Sequence, residues 1–161
     1  MVRGSERSSG SGEPVSGLED HLGFWLRFVS NHVSSRFRRH MEENGVSVSE
    51  WVALRQLHGS PGLSPRALID SLGMTKGAIS KLIDRLEHKQ LARRRADAED
   101  GRVQRVELTA AGRRLVPRLA ALADENDAHF FGHLAPSTRD QLVRLLRQLV
   151  QQHGLTQVPT E

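Results

Sequence analysis

Met74-Thr-Lys-Gly-Ala-Ile-Ser-Lys-Leu-Ile-Asp-Arg-Leu-Glu-His-Lys-Gln-Leu91 holds two faces in one segment. Ile79, Leu82, Ile83 and Leu86 recur at helical spacing. Gly77, Ser80, Lys81, Asp84, Arg85 and His88 fall on the other side. The spacing predicts a helix that keeps an apolar face in a core and turns small, hydroxylated and basic groups outward.

Working outward, Ser64 is an N-cap, Pro65 suits a first turn, and Leu63 can staple to Leu68. That short helix stops at Gly73, and Met74 and Thr75 open the next one at once, with Met74 and Ile79 as a further staple. Two short helices joined by a tight glycine turn form a helix-turn-helix pattern. Beyond Leu91 the periodicity changes. Leu91–Arg95 can be extended, and Val103–Leu108 alternates at period two. Asp97–Arg102 supplies turn residues between them, which predicts a β-hairpin with a charged tip.

The flanks are helical. Leu22, Trp25, Leu26, Val29, Val33 and Phe37 keep one face over several turns, and Gly45 should stop that helix. Ser47-Val-Ser-Glu50 is a capping box with Val46 and Trp51 at staple positions, so a second helix should run to about His58. Gly59-Ser-Pro-Gly62 breaks it. Thr109 should cap a long helix to about Phe131, bent at Pro117. A last helix should begin at Ala135 or Ser137, with Leu142, Leu145, Leu146 and Leu149 as its stripe. Residues 1–17, rich in Ser and Gly, lack periodicity and are expected to be a disordered tail. Residues 154–161 form a C-terminal tail.

The fold class expected is mainly α with a small β-hairpin. A winged helix-turn-helix domain spans 46–109. A helical dimerisation region is built from 18–45 and 110–153, because those helices carry more apolar surface than one winged domain can cover.

The 161-residue chain has a formal net charge of +4. Between Ser64 and Arg105 stand ten Lys or Arg against six Asp or Glu, so the whole net surplus lies in the segment that holds the opening helix. A basic patch so placed favours a polyanionic partner. Cysteine is absent, which excludes disulfides, thiolate metal sites and cysteine redox sensing. No apolar run approaches the roughly 20 residues of a membrane span. A cytoplasmic protein with no membrane partner is the expectation. No Gly-rich phosphate loop, nucleophile elbow or paired acid points to an enzyme.

A major groove accepts one α-helix, whose N-terminal side chains reach base edges. Thr75, Lys76, Ser80 and Lys81 are suited to bases or phosphates, and Gly77 allows close backbone approach. Arg85 lies further along, where phosphate is the natural partner. Arg93, Arg94 and Arg95 precede the hairpin tip and Arg102 sits in it. An arginine at a wing tip suits a narrow minor groove, and Asp97 or Asp100 could orient it through a salt bridge. The alternative for the whole surface is a solvated charged face, and for Arg93–Arg95 a basic strand edge that blunts aggregation.

These elements resemble the MarR family of transcriptional regulators. The resemblance rests on Val46-Ser-Val-Ser-Glu-Trp51, on Leu68 to Glu87 across the helix-turn-helix, on Asp97 to Arg102 in the wing, and on Val106-Glu-Leu-Thr-Ala-Ala-Gly112 at the strand-to-helix junction. It covers roughly Leu18 to His153. It implies a homodimer whose first and last helices interlock, each winged domain reading half of a near-palindromic double-stranded operator. It places the recognition contacts between Thr75 and Arg85, and the wing arginine at Arg102 with Asp100 orienting it. It also implies repression relieved by a small phenolic or other aromatic acid, with no resident cofactor. Trp25, Phe28, His32, Trp51 and Arg55 come from the helices that would line such a site, Arg55 for a carboxylate and the tryptophans for a ring. Taken singly, Trp25, Phe28 and Trp51 also read as core. His129 and His133 lie four apart on a predicted helix and are weak metal candidates, with packing or capping as the plainer role. A metal-responsive regulator and a winged-helix protein-interaction module are the alternatives.

Overall fold

Caps and glycines decide where the helices start and stop. The computed structural model describes residues 15–97, 100–101 and 104–156. A 3-10 turn, Leu18–Asp20, leads into α1, Leu22–Glu43. Gly45 then takes φ +76° and turns the chain. α2, Val48–Leu57, opens on the expected capping box: Ser47 Oγ accepts from Glu50 N–H, and the Glu50 carboxylate accepts from Ser47 N–H at 2.8 Å. It stops one residue before His58. α3, Pro65–Leu72, is capped by Ser64 and closed by Gly73 in the left-handed region. α4, Lys76–His88, follows from its cap Thr75, whose Oγ1 accepts from Ala78 N–H at 3.2 Å.

Strands β1, Ala92–Ala96, and β2, Gln104–Leu108, pair antiparallel, with Ala92 opposite Leu108, Arg93 opposite Glu107 and Arg94 opposite Val106. Val103, expected in the second strand, lies outside the described residues. Leu63 adds a bridge that the sequence did not announce. Its N–H donates to Val106 O at 2.9 Å, and Val106 N–H returns to Leu63 O at 2.7 Å. The lead-in to α3 is thereby fastened to the hairpin.

α5, Ala110–Phe131, starts on Thr109, whose Oγ1 accepts from Gly112 N–H, and it continues through an exposed Pro117 as one element. α6, Pro136–Gln152, begins at the junction of the two expected starts. Between α4 and β1, Gln90 adopts φ +58° while its N–H donates to Glu87 O. Thr109 donates its hydroxyl to Gln90 O and its N–H to Leu91 O. Gly112 packs so close here that a Cβ would run into the Leu91 carbonyl.

The core sits within α2, α3, α4 and the hairpin, closed by Met41 of α1 and by Val116 and Leu119 of α5. Its members include Leu54, Leu57, Leu68, Ile79, Leu82, Ile83, Leu86 and Val106. The apolar face of α4 thus goes where its spacing directs. By contrast α1 buries only Met41, and α6 buries nothing. Leu22, Trp25, Leu26, Phe28 and Val29 of α1 stay exposed, as do Leu145, Leu146, Leu149 and Val150 of α6.

Candidate nucleic-acid interface

Burying Ile79, Leu82, Ile83 and Leu86 fixes which residues of α4 face out. Thr75, Lys76, Gly77, Ser80, Lys81 and Arg85 are all exposed. Thr75 Oγ1 is occupied as an acceptor by the cap, so its hydroxyl hydrogen remains to donate to an anion. The side chains of Lys76, Ser80 and Lys81 make no hydrogen bond or ion pair among the described residues. A Cβ on Gly77 would meet open space. Packing within the chain therefore gives no reason for glycine here, although it costs about 1 kcal/mol of helix propensity against alanine.

Six other basic residues of this region pair with carboxylates. Arg66 pairs with Asp70 at 3.1 Å, and Arg93 with Glu107 at 2.6 Å. Arg105 pairs with Asp97 at the tip end of the hairpin. Arg85 Nε donates to Glu50 Oε1 at 3.4 Å, and Lys89 Nζ to Glu50 Oε2 at 2.7 Å. Arg94 is the most tightly held. Its guanidinium reaches Asp84 at 2.6 Å and also Glu87, and its backbone N–H donates to Glu87 Oε1 at 2.7 Å. Burial works against its charge, but the Asp84 and Glu87 carboxylates outweigh burial and raise its pKa above the ordinary arginine value. Sequence reasoning placed Arg85 and Arg94 among DNA contacts; the structure places both in ion pairs with carboxylates of the protein.

In the wing, Arg95 is exposed and stands 3.9 Å from Glu107. Asp100 N–H donates to Asp97 Oδ1 at 3.2 Å. Arg102, to which the wing contact was assigned, lies outside the described residues. Asp97, one of the two acids expected to orient it, accepts from Arg105.

The residues assigned to an effector site separate into two groups. Trp25, Phe28 and His32 form an aromatic ladder on α1 together with Phe24, the Phe28 and His32 rings lying 4.7 Å apart. Trp25 is 45% and Phe28 51% exposed, so neither is core of this chain. Trp51 packs half-buried against the core and Arg55 is exposed. An open cleft of about 440 Å³ brings His32 to His129 and Phe130 across α1 and α5, with Arg36 and Arg39 on its wall; Trp51 and Arg55 do not line it. His129 and His133 are both exposed, and no group of three His, Asp or Glu that could hold a metal occurs among the described residues. No described helix is long and apolar enough to cross a membrane.

Residues 44–103 match the model of the MarR family. The transcriptional regulator HosA of Escherichia coli O157:H7 is 30% identical over 125 residues, 78% of this chain and 91% of the relative. The chain belongs to the MarR family. The HTH-type transcriptional repressor Rv2887 of Mycobacterium tuberculosis is likewise 30% identical, over 135 residues that cover 83% of this chain and 97% of that protein. Solved structures repeat the fold. S. aureus MepR in its DNA complex superimposes with a TM-score of 0.72 at 23% identity, covering 82% of this chain and 98% of that one. CouR of Rhodococcus jostii RHA1, bound to p-coumaroyl-CoA, superimposes with a TM-score of 0.73 at 24% identity, covering 90% and 99%. This MarR-family chain is thus a transcriptional regulator with a DNA-binding winged helix, and the exposed face of α4 is its candidate reading surface.

Proposed function

We propose that this MarR-family protein is a homodimeric repressor that reads a near-palindromic DNA duplex and is released by a small aromatic or phenolic acid. The observation that carries the reading is the division of labour on α4. Its apolar face is consumed by the core, while Thr75, Lys76, Gly77, Ser80 and Lys81 stand outward and the lysines have no ion-pair partner among the described residues. A helix in the major groove uses these groups at its N-terminal end. Arg95, Arg102 and Asp100 then belong to the wing, alongside the minor groove.

The homodimer is supported by the unsatisfied faces of α1 and α6. Leu145, Leu146 and Leu149 are exposed in one chain, as are Leu22, Leu26 and Val29. Contiguous apolar surface of this kind marks an interface. A two-fold dimer sets two α4 helices at fixed separation, which is why a near-palindrome is the matching site. The effector class is supported by the α1 ladder of Trp25, Phe28 and His32, and by the aromatic acyl thioester found in CouR. Trp51 and Arg55 belong to the same reading from the α2 side.

The test is a titration of the purified protein against the duplex upstream of its own gene and against random duplex, at several salt concentrations. The expected result is preference for the upstream duplex with a steep salt dependence. Leu146→Glu with Val150→Glu should convert a two-chain species to one chain in sedimentation and abolish that preference. Hydroxylated benzoic and cinnamic acids should then release the wild-type complex. Equal, weak binding to both duplexes would overturn the repressor reading.

A further inference from the structure

Glu50 is buried to 1% exposure, the most deeply buried charged side chain among the described residues. Its capping duty does not explain this. A glutamine at the same position caps a helix equally well. What glutamine lacks is charge, and Glu50 faces two cations of the reading helix. Arg85 Nε lies 3.4 Å from Oε1, and Lys89 Nζ lies 2.7 Å from Oε2. Lys89 Nζ also donates to Gly45 O at 2.8 Å, at the corner where α1 gives way to α2. Burial opposes ionisation of Glu50, yet the Lys89 ammonium, the Ser47 N–H and the Arg85 guanidinium together hold its carboxyl below the usual value.

Lys81, Arg85 and the C-cap residue Lys89 succeed one another at i, i+4 and i+8, so they continue one ridge of α4 to its end. The first member has no ion-pair partner among the described residues and faces out. The second and third are drawn to one carboxylate on α2. A helix turns through about 100° for each 1.5 Å of rise. Anchoring two members of a ridge therefore fixes both the roll and the axial position of the third.

We propose that Glu50 is a positioning residue for DNA reading. By holding Arg85 and Lys89 it sets the angle at which Ser80 and Lys81 are presented, and it withdraws Arg85 from phosphate. Through Gly45 the same anchor ties α4 to the end of α1. The inference rests on the DNA-reading function proposed above.

The experiment begins with a duplex selected by the wild-type protein from a random-sequence pool. Glu50→Gln, which keeps the cap and removes the charge, is compared with wild type for binding to that duplex and to random duplex across a salt series. Melting temperature confirms that each variant is folded. The expected result is a fall of at least tenfold in the ratio of selected to random binding. Binding to random duplex should hold or tighten, because a negative charge has gone and Arg85 is released. A purely structural role for Glu50 would lower the melting temperature and leave the ratio intact. Arg85→Gln should leave the slope of log affinity against log salt unchanged, whereas a phosphate contact would reduce it by about 0.9 for each protomer bound. If Glu50→Gln fails to fold, Lys89→Met carries the test and should show the same loss of ratio. A selective wild type whose folded variants keep their ratio within twofold would overturn the inference and leave the repressor reading standing. A wild type that selects no duplex would overturn both.

Discussion

Replacing Arg94 with Met should destabilise the protein by about 2 kcal/mol and weaken its DNA binding without a matching change in salt dependence. The figure follows from what the guanidinium touches. Its side chain is 26% exposed and bridges Asp84 and Glu87, which sit one turn apart on α4. Hydrogen bonds to charged groups contribute about 1.5–3 kcal/mol, and exposed ion pairs about 0–1. The Asp84 arm is the more exposed of the two and the Glu87 arm the more buried. Removing the cation leaves two carboxylates facing each other, one half-buried, while the backbone bond from Arg94 N–H to Glu87 survives. For a chain of this length about 2 kcal/mol lowers the melting temperature by roughly 4–8 °C. Protein concentration must be held fixed, because an associating protein melts according to its concentration. The decisive comparison is the triple variant Arg94→Met, Asp84→Asn, Glu87→Gln. With both carboxylates made neutral no unpaired charges are left facing each other, so the triple variant should recover most of the stability. It should also recover selective DNA binding. A phosphate-contacting Arg94 would behave otherwise: the single variant would melt normally, and the salt slope would fall by about 0.9 for each protomer bound in single and triple variants alike. That pattern would refute the clamp.

Three further outcomes follow from the same geometry. Gly112→Ala should cost several kcal/mol, on the scale of roughly 2–3 for overpacking a tight contact, because its Cβ would collide with the Leu91 carbonyl, and urea unfolding would measure the loss. Gln90→Gly should stabilise by about 0.5–1 kcal/mol in the same assay, since Gln90 holds φ +58° at the end of α4 and only glycine does so freely. Glu50 has a folded-state pKa below its ordinary 4.5, so its contribution to stability is complete above that value and is lost as pH falls through the lowered one; Glu50→Gln should flatten this acid limb of the stability profile measured by denaturant midpoint.

Local chemistry was legible in the sequence, and its partners were not. The caps at Ser47, Ser64, Thr75 and Thr109 each bond a backbone N–H three residues ahead, so sequence spacing alone identifies them. The buried face of α4 follows from its period for the same reason. Glu50 shows where such rules stop. Its cap is local, but its cations arrive from 35 and 39 residues away. Arg94 is a similar case: its pairs with Asp84 and Glu87 depend on how the hairpin docks on α4, which a basic run in the sequence does not record. The Leu63 bridge and the closeness of Gly112 to Leu91 depend on how finished elements dock, which no periodicity records. The aromatic face of α1 was ambiguous for a different reason. A core and an interface demand the same apolar stripe, and only the placement of α1 beside a core already complete without Trp25 and Phe28 separates them.

The reading surface emerges by subtraction. Of the ten basic residues between Ser64 and Arg105, the structure commits Arg66, Arg85, Lys89, Arg93, Arg94 and Arg105 to carboxylates. Among the described residues Lys76 and Lys81 remain on α4, and Arg95 stands at the wing with a long contact to Glu107; all three face outward. Two clamps therefore fix α4, Glu50 near its C-terminal end and Arg94 on the wing side, while the outward side chains Lys76, Ser80 and Lys81 of its N-terminal half have no polar partner among the described residues. A helix that must enter a groove needs that arrangement, because side chains already paired with the protein would have to break those pairs before meeting a base or phosphate.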